Sequence, residues 1–148
     1  MARARVNKTS VRGSLRGSLG AGTTVRVMLV EDHTAFRQVL TFLLSDDPEL
    51  EVVAQAGSVA EAREALEGGG LDEILDVAVV DLALPDGDGR EIIDELRRSS
   101  PGVRIMVLSA TVRFEDDEEI LAAGADVVLD KVRSYSTIAE EVRRLAGG

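Results

Sequence analysis

Several residue types are scarce or missing in this chain of 148 residues, and each gap excludes a class of chemistry. The sequence has no cysteine, so disulfides, thiolate nucleophiles and cysteine-based zinc sites are excluded. His33 is the single histidine, which also excludes a metal site built on two or more histidines. No apolar run approaches the roughly 20 residues of a membrane-spanning helix, and we therefore expect a cytoplasmic protein without membrane contact.

Residues 1–24 contain no acidic side chain, although they carry five basic ones: Arg3, Arg5, Lys8, Arg12 and Arg16. Because the whole chain has a formal charge of −10, the remainder carries a charge near −15, which argues against nucleic-acid binding by the folded part. The same segment is rich in Gly, Ser and Thr, and its apolar surface is too small to offset the entropy lost on ordering. We expect a disordered basic tail over 1–24, either simply solvated or contacting an acidic partner.

From residue 25 onward, five short apolar runs alternate with amphipathic stretches. The runs predict strands over 25–30, 51–55, 77–81, 103–108 and 126–129, within one folded domain over 25–146. The stretches between them place apolar residues at helical spacing. This strict alternation predicts a doubly wound α/β fold, with a five-stranded parallel sheet and helices on both faces. For five strands, the flavodoxin-like order 2-1-3-4-5 is the common arrangement.

The third predicted strand, 77–81, is the centre of this pattern because it is continuously apolar until it ends at Asp81. A carboxylate at the carboxyl end of a buried strand lies where open α/β sheets bind their ligands. Gly87 and Gly89 follow, and we expect them to permit positive φ in the turn. Asp88 is the expected N-cap of the next helix.

In the predicted strand order, the carboxyl ends of strands 1, 3, 4 and 5 open toward one edge of the sheet. The residues at those ends are three acids, two hydroxyls and one amine: Glu31, Asp32, Asp81, Ser109, Thr111 and Lys131. Crowded carboxylates repel one another unless a cation neutralises them, and a set of oxygen ligands suits Mg²⁺. An aspartate can also attack phosphorus to form an aspartyl phosphate, with a metal and an ammonium group stabilising the transferring charge.

Taken together, these residues closely resemble the receiver domain of two-component response regulators. The resemblance covers residues 25–145 and rests on four elements in order: Glu31-Asp32, the segment from Asp81 through Pro85 to Asp88-Gly89, Ser109-Ala110, and Gly124-Ala125-Asp126 with Lys131. Each element is weak alone, but all of them at these spacings form a specific pattern. The start Glu31-Asp32-His33 is similar to the subfamily that usually precedes a helix-turn-helix output domain.

The resemblance implies a phosphoryl acceptor and a magnesium site. Asp81 would accept phosphate from a phosphohistidine on a sensor histidine kinase or a phosphotransfer protein. Asp32, Asp81 and the backbone carbonyl of Ala83 would hold Mg²⁺, and Glu31 would contribute through water. Such a chain is not a conventional enzyme, although it catalyses its own phosphoryl transfer and dephosphorylation.

The resemblance also implies roles for two further side chains and for partners. Lys131 would pair with the phosphoryl group, and the Ser109 hydroxyl would move to bond it. The phosphorylated chain would then change a surface that binds a downstream protein, an output domain or a second copy of itself as a homodimer.

Two features depart from the family pattern. Val128 stands where the family usually has an aromatic switch residue on the fifth strand, so the ring that would swing inward to report phosphorylation is absent. Too little chain follows the fifth helix for a DNA-binding unit, and we expect either a stand-alone receiver or a piece of a longer regulator.

Two other functions are compatible with parts of the pattern. A pseudo-receiver that is never phosphorylated would keep the fold and act as a protein interaction module. The retained acids and Lys131 argue against it, and Val128 argues for it. An aspartate phosphatase of another α/β family needs a second aspartate two residues after the nucleophile, a position that Ala83 occupies here.

Overall fold

The computed structural model describes residues 5–6, 24–110, 114–131 and 135–147. Within these ranges the strands are β1 (Arg5–Val6), β2 (Val25–Val30), β3 (Leu50–Ala56), β4 (Val77–Asp81), β5 (Ala83–Leu84), β6 (Gly87–Asp88), β7 (Arg104–Ser109) and β8 (Val127–Asp130). The helices are α1 (Thr34–Ser45), α2 (Val59–Glu67), α3 (Leu71–Ile74), α4 (Arg90–Ser99), α5 (Phe114–Ala122) and α6 (Tyr135–Gly147). None of these helices combines the length and the apolar character that crossing a membrane requires.

One sheet with the order β1-β3-β2-β4-β7-β8 forms the centre of the fold. Its five long strands are parallel, and in chain order they have the predicted arrangement 2-1-3-4-5, so the expected fold class is confirmed. Arg5–Val6 adds a short antiparallel strand on the outer edge of β3. The rest of the segment before residue 24 lies outside the described residues, so the expected disorder over 1–24 and the domain bounds 25–146 stay predictions.

Strand β4 is buried along its whole length, and its side chains alternate between two apolar layers. Ala78 and Val80 belong to the layer that also contains buried residues of α2, α4 and α5. Val77 and Val79 belong to the layer that contains buried residues of α1 and α6. A strand covered by helices on both faces has no solvent-facing side, which explains why its sequence is continuously apolar.

The start of α2 pairs Ser58 with Glu61. The Ser58 hydroxyl accepts from the Glu61 N–H at 3.0 Å, and the Glu61 carboxylate accepts from the Gly57 N–H at 2.6 Å. In an ideal capping box the carboxylate binds the N–H of the capping residue itself, so here it reaches one residue further back.

The segment after β4 differs from the sequence-based expectation in two ways. β5 and β6 form a short hairpin before α4 begins, and Gly89 rather than Asp88 is the residue that precedes the helix. Asp88 still caps the first turn of α4, since its carboxylate accepts from the Arg90 N–H at 2.9 Å. Gly87 and Gly89 do not use the positive φ that glycine permits, because the described glycines with positive φ are Gly69, Gly70 and Gly124.

Candidate functional site

Three side chains that are far apart in the sequence meet at the carboxyl edge of the sheet. Glu31 follows β2 directly, Asp81 ends β4, and Lys131 follows β8. The Lys131 Nζ lies 2.9 Å from Glu31 Oε2 and 3.0 Å from Asp81 Oδ2. Parallel strands in register bring their ends to one level of the sheet, which accounts for this convergence.

Asp32 completes a cluster of three carboxylates with Glu31 and Asp81. One carboxylate oxygen from each residue lies within 4.8 Å of the other two. Asp81 is 2% exposed and Glu31 is 3% exposed, whereas Asp32 faces solvent. The cluster therefore has a buried base and an open side through which a ligand can enter.

The donor atoms of this cluster suit a hard divalent cation. All of them are carboxylate oxygens, which Mg²⁺ prefers. Glu31 Oε1 is buried and has no hydrogen-bond partner among the residues that the structure describes. A buried carboxylate oxygen without a partner is costly, and a cation or its bound water would satisfy it. On these observations the residues fit Mg²⁺.

The environment shifts the pKa of Glu31 and that of Lys131. The pKa of Glu31 is raised from 4.5 to about 7, chiefly by burial and in smaller part by the charge of Asp81, while hydrogen bonds from Lys131 and the His33 N–H act in the opposite direction. Burial on its own would lower the pKa of Lys131, but its hydrogen bonds to Glu31 and Asp81 outweigh that effect and raise it. Lys131 therefore stays a cation beside Asp81 at neutral pH, where a transferring phosphoryl group would need it.

The other residues expected at the site lie on the same edge or outside the described ranges. The Ala83 N–H donates to Asp81 Oδ1 at 3.2 Å, so the backbone that follows β4 holds the Asp81 carboxylate. Ser109 ends β7, one residue beyond the partner of Asp81, and its carbonyl accepts from the Lys131 N–H at 2.8 Å. Val128 is half-buried in β8 and packs against the core. Thr111 lies outside the described residues.

The site also includes three residues that sequence reasoning did not identify: Phe36, Tyr135 and Arg37. The Lys131 Nζ lies 5.1 Å from the centre of the Phe36 ring, and Phe36 packs against Tyr135 with 5.2 Å between ring centres. The ring limits the positions open to the ammonium and stabilises its charge. Arg37 Nη1 donates to the Glu31 carbonyl at 2.6 Å and so fixes the backbone that carries the acidic pair.

Gly89 lies so close to the end of β4 that no side chain fits there. A Cβ at this position would overlap the carbonyl of Asp81 and would lie 3.0 Å from Leu82 Cα. The Gly89 N–H donates to the Leu82 carbonyl at 2.9 Å, which holds the two segments together. The sequence singled out this glycine, but its requirement is close approach of two backbones rather than an unusual φ.

Known proteins resemble this chain in sequence over most of its length. Residues 27–143 match the family model described as response regulator receiver domain. The DNA-binding transcriptional activator DevR/DosR of Mycobacterium tuberculosis is 37% identical over 124 residues, which cover 84% of this chain and 55% of that protein. The response regulator protein VraR of Staphylococcus aureus is 27% identical over 129 residues, which cover 84% of this chain and 58% of that protein.

A solved structure gives the same result for the fold. The signal receiver domain of NarL from Mycobacterium tuberculosis superposes with a TM-score of 0.74 at 28% identity, covering 84% of this chain and 98% of that one. This chain therefore matches a whole receiver domain, and it spans little more than half the length of the two curated relatives.

Proposed function

We propose that this chain, which belongs to the family of response regulator receiver domains, is a phosphorylation-dependent switch with Asp81 as its phosphoryl acceptor. The observation that carries the proposal is the pairing of Asp81 with the Lys131 ammonium at 3.0 Å, beside two further carboxylates. A nearly buried aspartate with a cation on one oxygen and a solvent-facing acid nearby is arranged for reaction with an anionic substrate.

The proposed reaction transfers a phosphoryl group from a phosphohistidine of a sensor histidine kinase or a phosphotransfer protein. An Asp81 carboxylate oxygen forms the new O–P bond as the P–N bond of the donor breaks. The bonding electron pair stays on the imidazole nitrogen, which takes up a proton from solvent. Lys131 donates to a phosphoryl oxygen, and the Ser109 hydroxyl at the end of β7 donates to another.

Magnesium fits this proposal as the resident cation. Asp32, Asp81 and the carbonyl of Ala83 would hold it, with Glu31 acting through water. When bound, Mg²⁺ would neutralise the carboxylates and the charge that develops on the transferring phosphoryl oxygens. The chain's own contribution is to hold the acids together, and Arg37 and Lys131 do so through the contacts described above.

The output of the switch is a downstream protein or an output domain. The relatives named above are a DNA-binding activator and a response regulator, and this chain spans only part of each. We place the chain in the cytoplasm and assign no nucleic-acid contact to its acidic folded part. A homodimer is one form that the phosphorylated chain can take.

A pseudo-receiver that never accepts phosphate is the second candidate, and the residue that favours it is Val128. This half-buried aliphatic side chain replaces the aromatic ring that receiver domains usually move on activation. Under this alternative, the fold would bind a partner without Mg²⁺ and without chemistry at Asp81.

The test is intact-mass spectrometry after incubation with acetyl phosphate and Mg²⁺. We expect one added phosphoryl group in the wild type, none in Asp81→Asn and none when EDTA replaces Mg²⁺. Asp88→Asn is the matched control, because it removes an exposed carboxylate of the same loop and should be modified like the wild type. An unmodified wild type would favour the pseudo-receiver.

A further inference from the structure

Asp86 forms a long-range contact that neither the acceptor chemistry nor the apolar core explains. It lies at the tip of the β5–β6 hairpin, five residues after the acceptor Asp81. Its Oδ1 accepts from the Val59 N–H at 2.7 Å, and its Oδ2 accepts from the Ala60 N–H at 2.9 Å. Both donors are in the first turn of α2, so one carboxylate from the acceptor loop caps a helix on the neighbouring connection.

This contact completes the hydrogen bonding at the start of α2. A helix leaves its first N–H groups without partners in the helix. Asp86 satisfies those of Val59 and Ala60, and the Ser58 hydroxyl satisfies that of Glu61. Ser58 directly precedes α2 and is its local cap, whereas Asp86 is supplied from a different part of the chain. Replacing Asp86 would therefore leave donors that no local residue satisfies.

The hairpin that carries Asp86 is joined directly to the candidate metal site. Ala83 pairs with Asp88 and Leu84 pairs with Gly87, so the hairpin is a single paired unit. Leu84 is buried in the core. Ala83 starts the hairpin, and its N–H donates to the acceptor carboxylate. A displacement of the hairpin tip would consequently also move Ala83 and the Asp81 side chain that it binds.

The other end of the contact is joined to the acidic pair. α2 follows β3, and the carbonyl of Ala56 at the end of β3 accepts from the Glu31 N–H at 2.8 Å. Asp86 therefore links the loop that holds Asp81 to the connection that supports Glu31.

We propose that Asp86 is a positioning residue, whose cap on α2 fixes the acceptor hairpin so that the Ala83 carbonyl and the Asp81 carboxylate are held for Mg²⁺ and phosphoryl transfer. This inference rests on the proposed function. Asp86 acts through Ala83 and touches neither the metal nor the phosphoryl group. Loss of a residue that supports metal ligands in this way typically costs about tenfold or more in metal affinity or activity.

The experiment compares Asp86→Ala and Asp86→Asn with the wild type, and uses Asp88→Ala as the matched control. Asp88 has the same charge and lies in the same hairpin, but its carboxylate binds the Arg90 N–H of its own helix. Three quantities are measured for each protein: the midpoint of thermal unfolding, the Kd for Mg²⁺ by calorimetric titration, and the rate of phosphorylation by acetyl phosphate at saturating Mg²⁺.

We expect Asp86→Ala to raise the Kd for Mg²⁺ about tenfold and to slow phosphorylation, at temperatures where the variant remains folded. Asp86→Asn keeps one acceptor oxygen for the helix, so its Kd should lie between those of Asp86→Ala and the wild type, and Asp88→Ala should match the wild type. A fall in the unfolding midpoint with unchanged Kd and rate would overturn the inference, as would an equal effect of Asp88→Ala. A wild type that binds no Mg²⁺ and accepts no phosphate would instead overturn the proposed function itself.

Discussion

Lys131 and Glu31, which are 100 positions apart in the sequence, form an ion pair of 2.9 Å at the carboxyl edge of the sheet. The Lys131 side chain is 17% exposed and that of Glu31 is 4% exposed. Because water screens such a pair poorly, the ammonium is a structural requirement of the metal-free site as well as a candidate reactant. The same ammonium also donates to Asp81, so one side chain contacts both buried carboxylates of the cluster.

Replacing this ammonium should destabilise the metal-free protein. Lys131→Met leaves two buried carboxylates without their cation, and we expect a loss of about 3 kcal/mol in the free energy of unfolding. Urea unfolding in EDTA measures this free energy, and adding Mg²⁺ should restore part of the lost stability. Arg143→Met is the control, because it removes an exposed partner of Asp47 and should cost less than about 1 kcal/mol. Equal losses in the two variants would contradict this account.

Stability in EDTA should fall as pH rises from about 4.5 toward about 7. The pKa of Glu31 is raised from 4.5 to about 7 by burial, so in this range the folded chain holds a proton that the unfolded chain has released. Folding takes up that proton, and raising the pH therefore disfavours the folded state. Unfolding midpoints measured across this range should fall with rising pH in the wild type and should fall less steeply in Glu31→Gln.

The control for the pH experiment is Glu67→Gln, which changes an exposed carboxylate at the end of α2. It should keep the slope of the wild type. A wild type whose stability rises with pH over this interval would show that burial does not dominate at Glu31.

The order of the elements and the position of Asp81 at the carboxyl edge of the sheet were accessible from the sequence because both depend on regular patterns. A continuous apolar run ending at Asp81 indicates a strand buried on both faces, and parallel strands then place their final residues at one edge. That argument brought Glu31, Asp81 and Lys131 together without any contact being known. The roles of these residues remain predictions, although their proximity is a property of the structure.

Other features were not accessible because they depend on distant contacts. The cap joins Asp86 to Val59 and Ala60, which precede it by 27 and 26 positions in the sequence. No local sequence pattern indicates such a contact. The placement of Phe36 beside Lys131 depends on how α1 packs against the end of β8. The four-residue helix α3 was also missed, since its span is too short for an apolar period to be recognised.

Gly89 should tolerate no side chain. Gly89→Ala would press a methyl group onto the Asp81 carbonyl, and we expect a loss of about 2 kcal/mol in stability together with slower phosphorylation. Gly102→Ala is the matched control, since a Cβ there meets nothing within 4 Å. Urea unfolding and the acetyl phosphate rate measure the two effects. A Gly89→Ala protein as stable and as reactive as Gly102→Ala would show that the close approach is not needed.

The cap from Asp86 should contribute stability that disappears in acid. Hydrogen bonds from the Ala60 N–H and then the Val59 N–H lower the pKa of Asp86 below its ordinary value of 3.8. The folded state therefore favours the ionised carboxylate, and this stabilisation is present above pH 3.8 and lost as pH falls through the lowered pKa. The difference in unfolding midpoint between the wild type and Asp86→Ala should be largest near neutral pH and should shrink in acid. A difference in unfolding midpoint that stays constant as the pH falls below 3.8 would argue against the cap.

The most direct test of the central claim is to locate the phosphoryl group by chemistry. The protein is incubated with acetyl phosphate and Mg²⁺, the acyl phosphate is reduced with borohydride to an alcohol, and the digested peptides are sequenced by mass spectrometry. The account predicts the alcohol at position 81 and at no other carboxylate. Reduction at Glu31, Asp32 or Asp88 in place of position 81 would contradict it.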